Sequence, residues 1–317
     1  MPSVVKPRSV AVIDIGSNSI KLLVATRAPG GAIVPLHSRT IDARIGAGIS
    51  QAEPKLSEAG MARGLEAVTS LLGDTSAYLP TRTVLVATSA VRDARNGAEF
   101  RARVQAATGH AIRILTGDEE ANLIGRGLTA DLALRDLRDF YVFDLGGGSL
   151  ECLAFRDRRI EQAVSLQLGC VRLTEKFVAD VAAPFSPESA ARIMNCTTEE
   201  LARGGFNFTL PGDAVAVGTG GTVTTVRAIL GARRGRTFEQ TDAIVTVTEL
   251  RALLGELGAM ALTERQKIPG LPPARADVFP TALATLIAVA ETGGFSAYRN
   301  SLFNLRYGLA DELLELA

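Results

Sequence analysis

The segment VAVIDIGSNSIKLLVA, residues 10–25, recurs in outline as YVFDLGGGSLECLAF at residues 141–155. Each copy runs from an apolar strand to an Asp, through a turn of small residues with a Ser five positions after the Asp, and into a second apolar strand. Backbone amides in such a turn are unobstructed by large side chains and can bind phosphate oxygens. Two copies predict a duplicated domain, with phosphate held between the two halves.

Hydrophobic periodicity extends this pattern along the chain. In the first half it predicts strands near 9–15, 20–26, 32–42, 83–88 and 111–115, with helices near 57–73, near 97–107 and from 117. The same order restarts at Tyr141 with two hairpin strands, a strand near 160–168, a helix from about 171, a strand at 214–218 and further helices to the end. The order predicts an α/β fold of two domains, residues 1–128 and 129–317, with a C-terminal helix at about 306–317 packed back on the first.

The composition is that of an ordinary globular protein: 317 residues, 47% apolar and 21% charged, with a formal net charge of zero. The sequence lacks a basic stripe with interleaved aromatic residues, so we do not expect it to bind nucleic acid. The most apolar stretch, residues 281–290, is too short to cross a bilayer, and Asp14 interrupts any signal-peptide core. We therefore expect a soluble protein with no membrane partner. Because Cys152, Cys170 and Cys196 lack the spacing of metal ligands or disulfides, we also expect reduced thiols and a cytoplasmic location.

Both turns carry groups suited to a phosphate that is bound together with a divalent cation. Asp14 and Asp144 end their strands, where a carboxylate can hold Mg²⁺ that neutralises phosphate charge. The candidate phosphate ligands are Ser17, Asn18 and Ser19 in the first turn and Gly146, Gly147, Gly148 and Ser149 in the second. Two ordinary glycine hairpins would not need an Asp at the end of each leading strand.

A third turn lies in VGTGGTVTTV, residues 217–226, where a strand leads through Gly220, Gly221 and Thr222 into a helix. The free amides at a helix N-terminus bind anions. A glycine turn that only allows close packing of the helix would give the same pattern, so the phosphate-binding interpretation depends on the other two turns.

Two further segments follow predicted strand ends. Arg92 lies in ATSAVRDARN, residues 87–96, at the end of the sheet where α/β folds place ligands, and its guanidinium can bind phosphate in a bidentate manner. The acidic run Asp118, Glu119, Glu120 opens a helix, which suits the helix dipole. One of these carboxylates could instead act as the general base for water, and spacing does not choose among the three.

Other hydrolytic chemistries lack their motifs. The sequence has no G-x-S-x-G element and no Walker A lysine loop. Neither His37 nor His110 lies in a nucleophile or metal-ligand pattern.

Together these residues resemble the Ppx/GppA family of exopolyphosphatases and guanosine pentaphosphate phosphohydrolases. The matching segments follow the family's order over nearly the whole chain: DIGSNS (14–19), ATSAVRDARN (87–96), GDEEANLI (117–124), DLGGGSLE (144–151), LGCVRLTE (168–175), VGTGGTV (217–223) and IPGLPPARADV (268–278). The resemblance implies two duplicated ribonuclease-H-like domains of the actin/sugar-kinase superfamily, with the active site in the interdomain cleft.

The resemblance also implies roles for individual residues. Glu120 matches the family's catalytic base, Arg92 a cleft arginine that contacts phosphate, and Asp144 and Glu151 acids that help hold Mg²⁺. The residues of the first two turns match the family's phosphate-binding loops.

Two departures from the family pattern are visible. Lys21 stands near a position where the family usually has Arg, so a guanidinium that can make a bidentate contact is replaced by the single ammonium group of lysine. The closing G-L-R-E-G element reads NLRYG at residues 304–308.

The resemblance implies Mg²⁺-dependent hydrolysis of the terminal phosphoanhydride of inorganic polyphosphate, with Mn²⁺ as an alternative cation and K⁺ dependence left open. Removal of the 5′-terminal phosphate of pppGpp, which yields ppGpp, is the alternative reaction. A non-catalytic sensor of polyphosphate or a guanosine alarmone is expected to have lost the base or the metal acids, and these are present. An ATP-dependent kinase or ATPase would leave the G-D-E-E-A match unexplained. The expected partners are polyphosphate or guanosine penta- and tetraphosphate, and a homodimer is compatible with the sequence.

Overall fold

The computed structural model describes residues 8–316, which form two compact units. The first unit contains the described residues up to Ile49, then Glu53–Leu134, and finally the C-terminal segment from Phe303. The second unit contains Ser50–Ala52 and Arg135–Leu302.

Strands and helices alternate along the described chain. The strands are β1 (Ser9–Ile15), β2 (Ile20–Arg27), β3 (Ile33–Ile41), β4 (Arg82–Ala87), β5 (Ile112–Ile114), β6 (Phe140–Leu145), β7 (Leu150–Arg156), β8 (Arg159–Leu166), β9 (Val215–Thr219), β10 (Ile244–Thr246) and β11 (Ala297–Asn300). The helices are α1 (Glu58–Thr75), α2 (Ser89–Arg92), α3 (Gly97–Thr108), α4 (Gly117–Thr129), α5 (Cys170–Phe177), α6 (Pro187–Arg203), α7 (Gly221–Arg233), α8 (Val247–Gly258), α9 (Leu262–Arg265), α10 (Phe279–Gly293) and α11 (Leu305–Glu315). Short 3₁₀ turns cover Leu132–Leu134 and Pro273–Arg275.

The first unit is built on a five-stranded sheet in the order β3-β2-β1-β4-β5. The hairpin strands β1, β2 and β3 are antiparallel to one another, whereas β4 and β5 run parallel to β1. Side chains along β1 are buried at every position except Asp14, so both faces of this strand are covered. That burial explains why β1 is a nearly continuous apolar run.

The C-terminal helix α11 completes the first unit by packing on α4, β1 and β2. The two helix backbones approach closely because Gly127 and Gly308 lack side chains that would collide with the facing carbonyls. Asp311 of α11 accepts hydrogen bonds from Arg27 Nη2 (2.8 Å) and Arg126 Nε (2.7 Å). Close packing and these partly buried ion pairs together hold this distant segment in place.

The second unit repeats the strand arrangement of the first. Its sheet has the order β10-β11-β9-β6-β7-β8, in which β6, β7 and β8 form antiparallel hairpins and β9 runs parallel to β6. The position that β5 occupies in the first sheet is taken here by β11, which is parallel to β9. The apolar helix α10 is buried from Phe279 to Ala290 and forms much of this unit's core. Across residues 8–316, no helix is both long and apolar enough to cross a membrane.

The predicted α/β class and the repeated strand order are confirmed, but the prediction that only helices follow β9 is wrong. The structure adds β10 and β11 to the second sheet. Each has only three or four residues, and AYRN at 297–300 mixes polar and apolar side chains. Strands this short are too brief to show a period-two pattern, and their pairing depends on residues far away in the chain.

Candidate functional site

Within each unit, the candidate residues gather at one edge of the sheet. In the first unit β1, β4 and β5 are parallel, so the turn after β1, the helix α2 and the start of α4 all follow carboxyl ends of strands. In the second unit the same holds for the turns after β6 and β9. Ligands of α/β sheets bind at these strand ends.

The first loop, residues 16–19, presents backbone donors in one direction. Ser17 O accepts a hydrogen bond from Gly46 N (2.8 Å), and Asn18 O accepts one from Arg44 N (2.9 Å). In a trans peptide the C=O and the following N–H point in opposite directions. The amides of Asn18 and Ser19 therefore point away from the segment that contains Arg44 and Gly46. Neither amide donates to another backbone group within residues 8–316.

The second loop, residues 146–149, is oriented by the start of α5. Its glycine carbonyls accept hydrogen bonds as follows: Gly146 O from Cys170 N (3.0 Å), Gly147 O from Val171 N (2.9 Å) and Gly148 O from Arg172 Nε (2.9 Å). The amides of Gly147, Gly148 and Ser149 consequently point away from α5, and none of them donates to another backbone group in the described chain. Successive amides directed to one side form an anion-binding concavity.

Side chains distinguish the two loops. In the first, Ser17 Oγ lies 3.2 Å from Ser89 Oγ at the start of α2, and Asn18 Nδ2 donates to Asp42 Oδ1 (3.5 Å). Asn18 Oδ1 is buried, and the described residues give it no hydrogen-bond partner. In the second loop the glycines leave the amides unobstructed.

Two carboxylates face each other across the second hairpin. Asp144 and Glu151 are paired in the β6–β7 register, so their side chains lie on the same face of the sheet. Glu151 is only 2% exposed and accepts a hydrogen bond from Ser165 Oγ (2.8 Å). Asp144 Oδ1 lies so close to Gly220 that a methyl group there would collide with it. The arrangement brings two oxygen ligands together beside the second loop.

The first hairpin replaces this acid pair with opposite charges. Asp14 occupies the position of Asp144, but its register partner is Lys21. Burial raises the pKa of the Asp14 carboxyl, while the charges of Lys21 and Arg306 act to lower it. Asp14 Oδ1 is buried, and it makes no hydrogen bond to any residue that the structure describes.

The second hairpin fits a Mg²⁺ ion that binds together with phosphate. Mg²⁺ in phosphate-processing sites usually takes one or two carboxylates, with substrate phosphates and water completing its coordination. The described chain contains no cluster of three or more His, Cys, Asp or Glu residues that could hold a metal. The register pair Asp144 and Glu151 supplies two carboxylates of the kind that Mg²⁺ takes from a protein.

The third turn also has features of an anion site. Gly220 has φ +78° and ψ −164°, a region open essentially only to glycine, and it caps the N-terminus of α7. The Arg275 guanidinium lies against Gly221, where a methyl group would collide with it. A cation at a helix N-terminus is unfavourable by itself, and a bound anion would offset this. Thr222 Oγ1 and Arg275 Nε are both buried without a hydrogen-bond partner among residues 8–316.

Arg92 and Glu120 form a pair at the edge of the first sheet. Arg92 Nη1 donates to Glu120 Oε2 (3.2 Å) and to Leu115 O (2.9 Å). The Glu120 side chain is 9% exposed and that of Arg92 is 23% exposed. A carboxylate this buried needs such a partner, and the pairing holds it in one orientation. Ser89, which contacts the first loop through Ser17, begins the same short helix that Arg92 ends.

The three acids at the start of α4 have different environments. Glu119 belongs to a capping box, in which its Oε2 accepts from Thr116 N (2.8 Å) and Thr116 Oγ1 accepts from Glu119 N (3.1 Å). These hydrogen bonds, with one from Arg113, lower the pKa of Glu119. Asp118 is exposed, whereas Glu120 is buried. Of the three, only Glu120 combines burial with a cationic partner that is itself a candidate ligand of phosphate.

Sequence reasoning did not single out the residues that brace these loops. Gly46 orients the first loop, Arg172 the second, and Arg275 lies at the third turn. Arg172 and Arg275 do fall within the matching segments 168–175 and 268–278. Gly46 gave no signal, because its contribution is a backbone amide and the absence of a side chain.

Comparisons with known proteins find a family profile and a relative that match most of the chain. The sequence profile described as the Ppx/GppA phosphatase family matches residues 23–317. An uncharacterised protein of Streptomyces coelicolor is 30% identical over 266 residues, which cover 84% of this chain and 78% of that protein.

Solved structures resemble the chain over nearly its whole length. A crystal structure of an exopolyphosphatase from Cytophaga hutchinsonii gives a TM-score of 0.87 at 22% identity, covering 98% of this chain and 99% of that one. A Ppx/GppA family member from Aquifex aeolicus gives 0.78 at 24% identity, covering 98% of each chain. With the strand order that the two sheets share, this likeness confirms the predicted α/β fold of two duplicated ribonuclease-H-like domains.

Proposed function

Because the chain belongs to the Ppx/GppA phosphatase family, we propose that it is an exopolyphosphatase that hydrolyses the terminal phosphoanhydride of inorganic polyphosphate. The observation that carries the proposal is made within each unit: a loop directs its successive amides to one side of that loop and follows an Asp at a strand end. Such donors recognise phosphate oxygens and require nothing else of a substrate. A polymer of phosphate alone offers what they bind.

The reaction needs a positioned phosphate, neutralised charge and an oriented water. We assign the role of general base to Glu120, which would accept a proton from the attacking water. Arg92 would contact the phosphate while holding the Glu120 carboxylate in place through the Nη1 contact. Asp144 and Glu151 would hold Mg²⁺, which when bound supplies charge neutralisation at the phosphate oxygens.

Cys152, which follows Glu151 in the second hairpin, does not suit the role of a nucleophile. Burial, assisted by the charge of Glu151, raises the pKa of the Cys152 thiol well above its ordinary value. The reactive thiolate is therefore disfavoured, and direct attack by water is the consistent chemistry. None of the three cysteines forms a disulfide, which suits the cytoplasmic location that we propose.

Glu120→Gln tests the base with little change in side-chain size. Loss of one general base lowers the rate about 10²- to 10⁴-fold, so phosphate release from polyphosphate should fall by that amount. Glu119→Gln is the matched control, since it alters the neighbouring acid that caps the helix. A Glu120→Gln protein that keeps the parent rate would rule out the base assignment.

The same groups could remove the 5′-terminal phosphate of pppGpp, so the substrate requires its own test. We expect kcat/KM to be higher for long-chain polyphosphate than for pppGpp, and activity on both to require Mg²⁺. The opposite preference would make the protein a pppGpp phosphohydrolase. Binding without turnover of either substrate would indicate a sensor.

A further inference from the structure

We propose that Arg172 is a positioning residue that aims the Ser149 amide at bound phosphate. The inference rests on the proposed function, and it concerns one hydrogen bond, from Arg172 Nε to Gly148 O (2.9 Å). Ser149 itself was a candidate phosphate ligand from the sequence, whereas no role was assigned to Arg172.

The bond to Gly148 differs from the others that orient the second loop. The carbonyls of Gly146 and Gly147 are held by backbone amides of α5, which almost any residue would supply. Gly148 O is held by a side chain. The direction of the peptide between Gly148 and Ser149 therefore depends on which residue occupies position 172.

The consequence for the Ser149 amide follows from peptide geometry. Because the C=O of Gly148 points toward Arg172, the N–H of Ser149 points to the opposite side, along with the amides of Gly147 and Gly148. The turn itself is closed separately by Gly146 N donating to Ser149 O (3.0 Å). Loss of the Arg172 bond can thus rotate one peptide without opening the loop.

The α5 backbone places Arg172 for this contact. Its own amide donates to Gly147 O (3.2 Å), and the lack of a side chain at Gly169 lets the start of α5 lie directly against the loop backbone. The side chain is half-buried, so the Nε donor is partly shielded from competing water.

Three substitutions separate this hydrogen bond from the charge of the guanidinium. Arg172→Gln puts an amide N–H donor at the same number of bonds from Cα as Nε, without the charge. Arg172→Lys keeps the charge but puts a methylene at that point, and Arg172→Met supplies neither. Arg203→Met, which removes an exposed arginine from α6 of the same unit, is the control for loss of a cation.

We expect kcat/KM for tripolyphosphate to fall about 10- to 100-fold in Arg172→Met and Arg172→Lys, the range contributed by one hydrogen bond to a charged group. Arg172→Gln should lose several-fold less than either. If Lys is the better replacement and Gln matches Met, the effect is one of charge and the proposal is wrong. Parent-like kinetics in all three variants would also overturn the proposal. So would losses of kcat/KM that rank the variants only by how far their melting temperatures fall.

Binding of tripolyphosphate by calorimetry, with the Ser149 amide followed in ¹H–¹⁵N spectra, gives a second readout. The amide should shift on binding in the parent and in Arg172→Gln, and less in Arg172→Met. This readout does not depend on turnover. If the parent binds tripolyphosphate but hydrolyses neither polyphosphate nor pppGpp, the proposed function fails while the positioning role is still decided by the spectra.

Discussion

Replacing Gly46 by Ala should disable the first loop by pushing on it directly. A methyl group at this position would lie 2.6 Å from Ser17 Cβ, 2.9 Å from Ser17 Cα and 3.0 Å from Ser17 O. Carbon atoms in contact are normally about 3.5–4.0 Å apart, so the loop must retreat by roughly 1 Å. Two of the three atoms belong to the backbone, and rotation of a side chain cannot relieve the collision.

The shift should affect activity more than folding. The hydrogen bond from Gly46 N to Ser17 O (2.8 Å) turns the Asn18 amide outward, and it is the first contact to be lost. A misplacement of about 1 Å at a reacting centre costs on the order of 10²-fold in rate. Overpacking of this kind costs about 1–3 kcal/mol of stability.

The assay is the initial rate of phosphate release from tripolyphosphate, with the melting temperature measured on the same preparations. Gly30→Ala is the control, because a methyl group there meets no atom within 4 Å. A folded Gly46→Ala protein with the parent rate would show that the first loop does not position the phosphate. A rate loss of similar size in Gly30→Ala would show that the assay responds to something other than this contact.

Four other substitutions have defined outcomes. Arg92→Lys replaces a planar guanidinium, which can bind phosphate through two nitrogens while Nη1 holds Glu120, by a single ammonium group. The value of kcat/KM should therefore fall at least about tenfold in steady-state kinetics, and an unchanged value contradicts the phosphate role. Asp14→Asn should raise the melting temperature near neutral pH. The Asp14 carboxyl of the parent has a higher pKa in the folded than in the unfolded state, so the parent loses stability as pH rises through the folded-state pKa, whereas Asn does not titrate. Its advantage should shrink toward about pH 3, below the usual Asp pKa, and a constant difference across pH would refute the argument. Thr116→Ala removes the side-chain cap of α4, so the free energy of unfolding measured with denaturant should fall by about 1 kcal/mol while kcat changes little. A large loss of kcat would mean that the cap also positions the base. Gly308→Ala should lower the melting temperature by several degrees, because its methyl group collides with the carbonyl of Leu123, and an unchanged value would contradict the close helix contact.

The hairpins and their loops could be predicted because their signal is local. A strand, an Asp and a turn of small residues occupy consecutive positions, so the pattern alone located β1, β2, β6 and β7 closely. The identity of the buried acid at the start of α4 could not be read in this way. Asp118, Glu119 and Glu120 are adjacent, and only packing of α4 against the sheet decides which one is buried.

The bracing residues escaped prediction for a related reason. Arg172 and Gly46 act on backbone carbonyls of residues that are distant in the chain, and a carbonyl carries no sequence signature. The strand β11 was missed because it pairs with β9, some eighty positions earlier, through only three register pairs. In each case the deciding interaction is tertiary, and a local pattern does not contain it.

The ribosome delivers the two parts of the first unit separately, with residues 135–302 of the second unit made between them. Nearly all of the second unit, residues 135–302, is one continuous stretch that can fold as it emerges, whereas the first unit must wait for α11. Until then the surfaces of α4, β1 and β2 that α11 covers stay exposed. The first unit therefore starts to be made before the second unit and is completed after it, and its uncovered apolar surface is open to aggregation in the meantime.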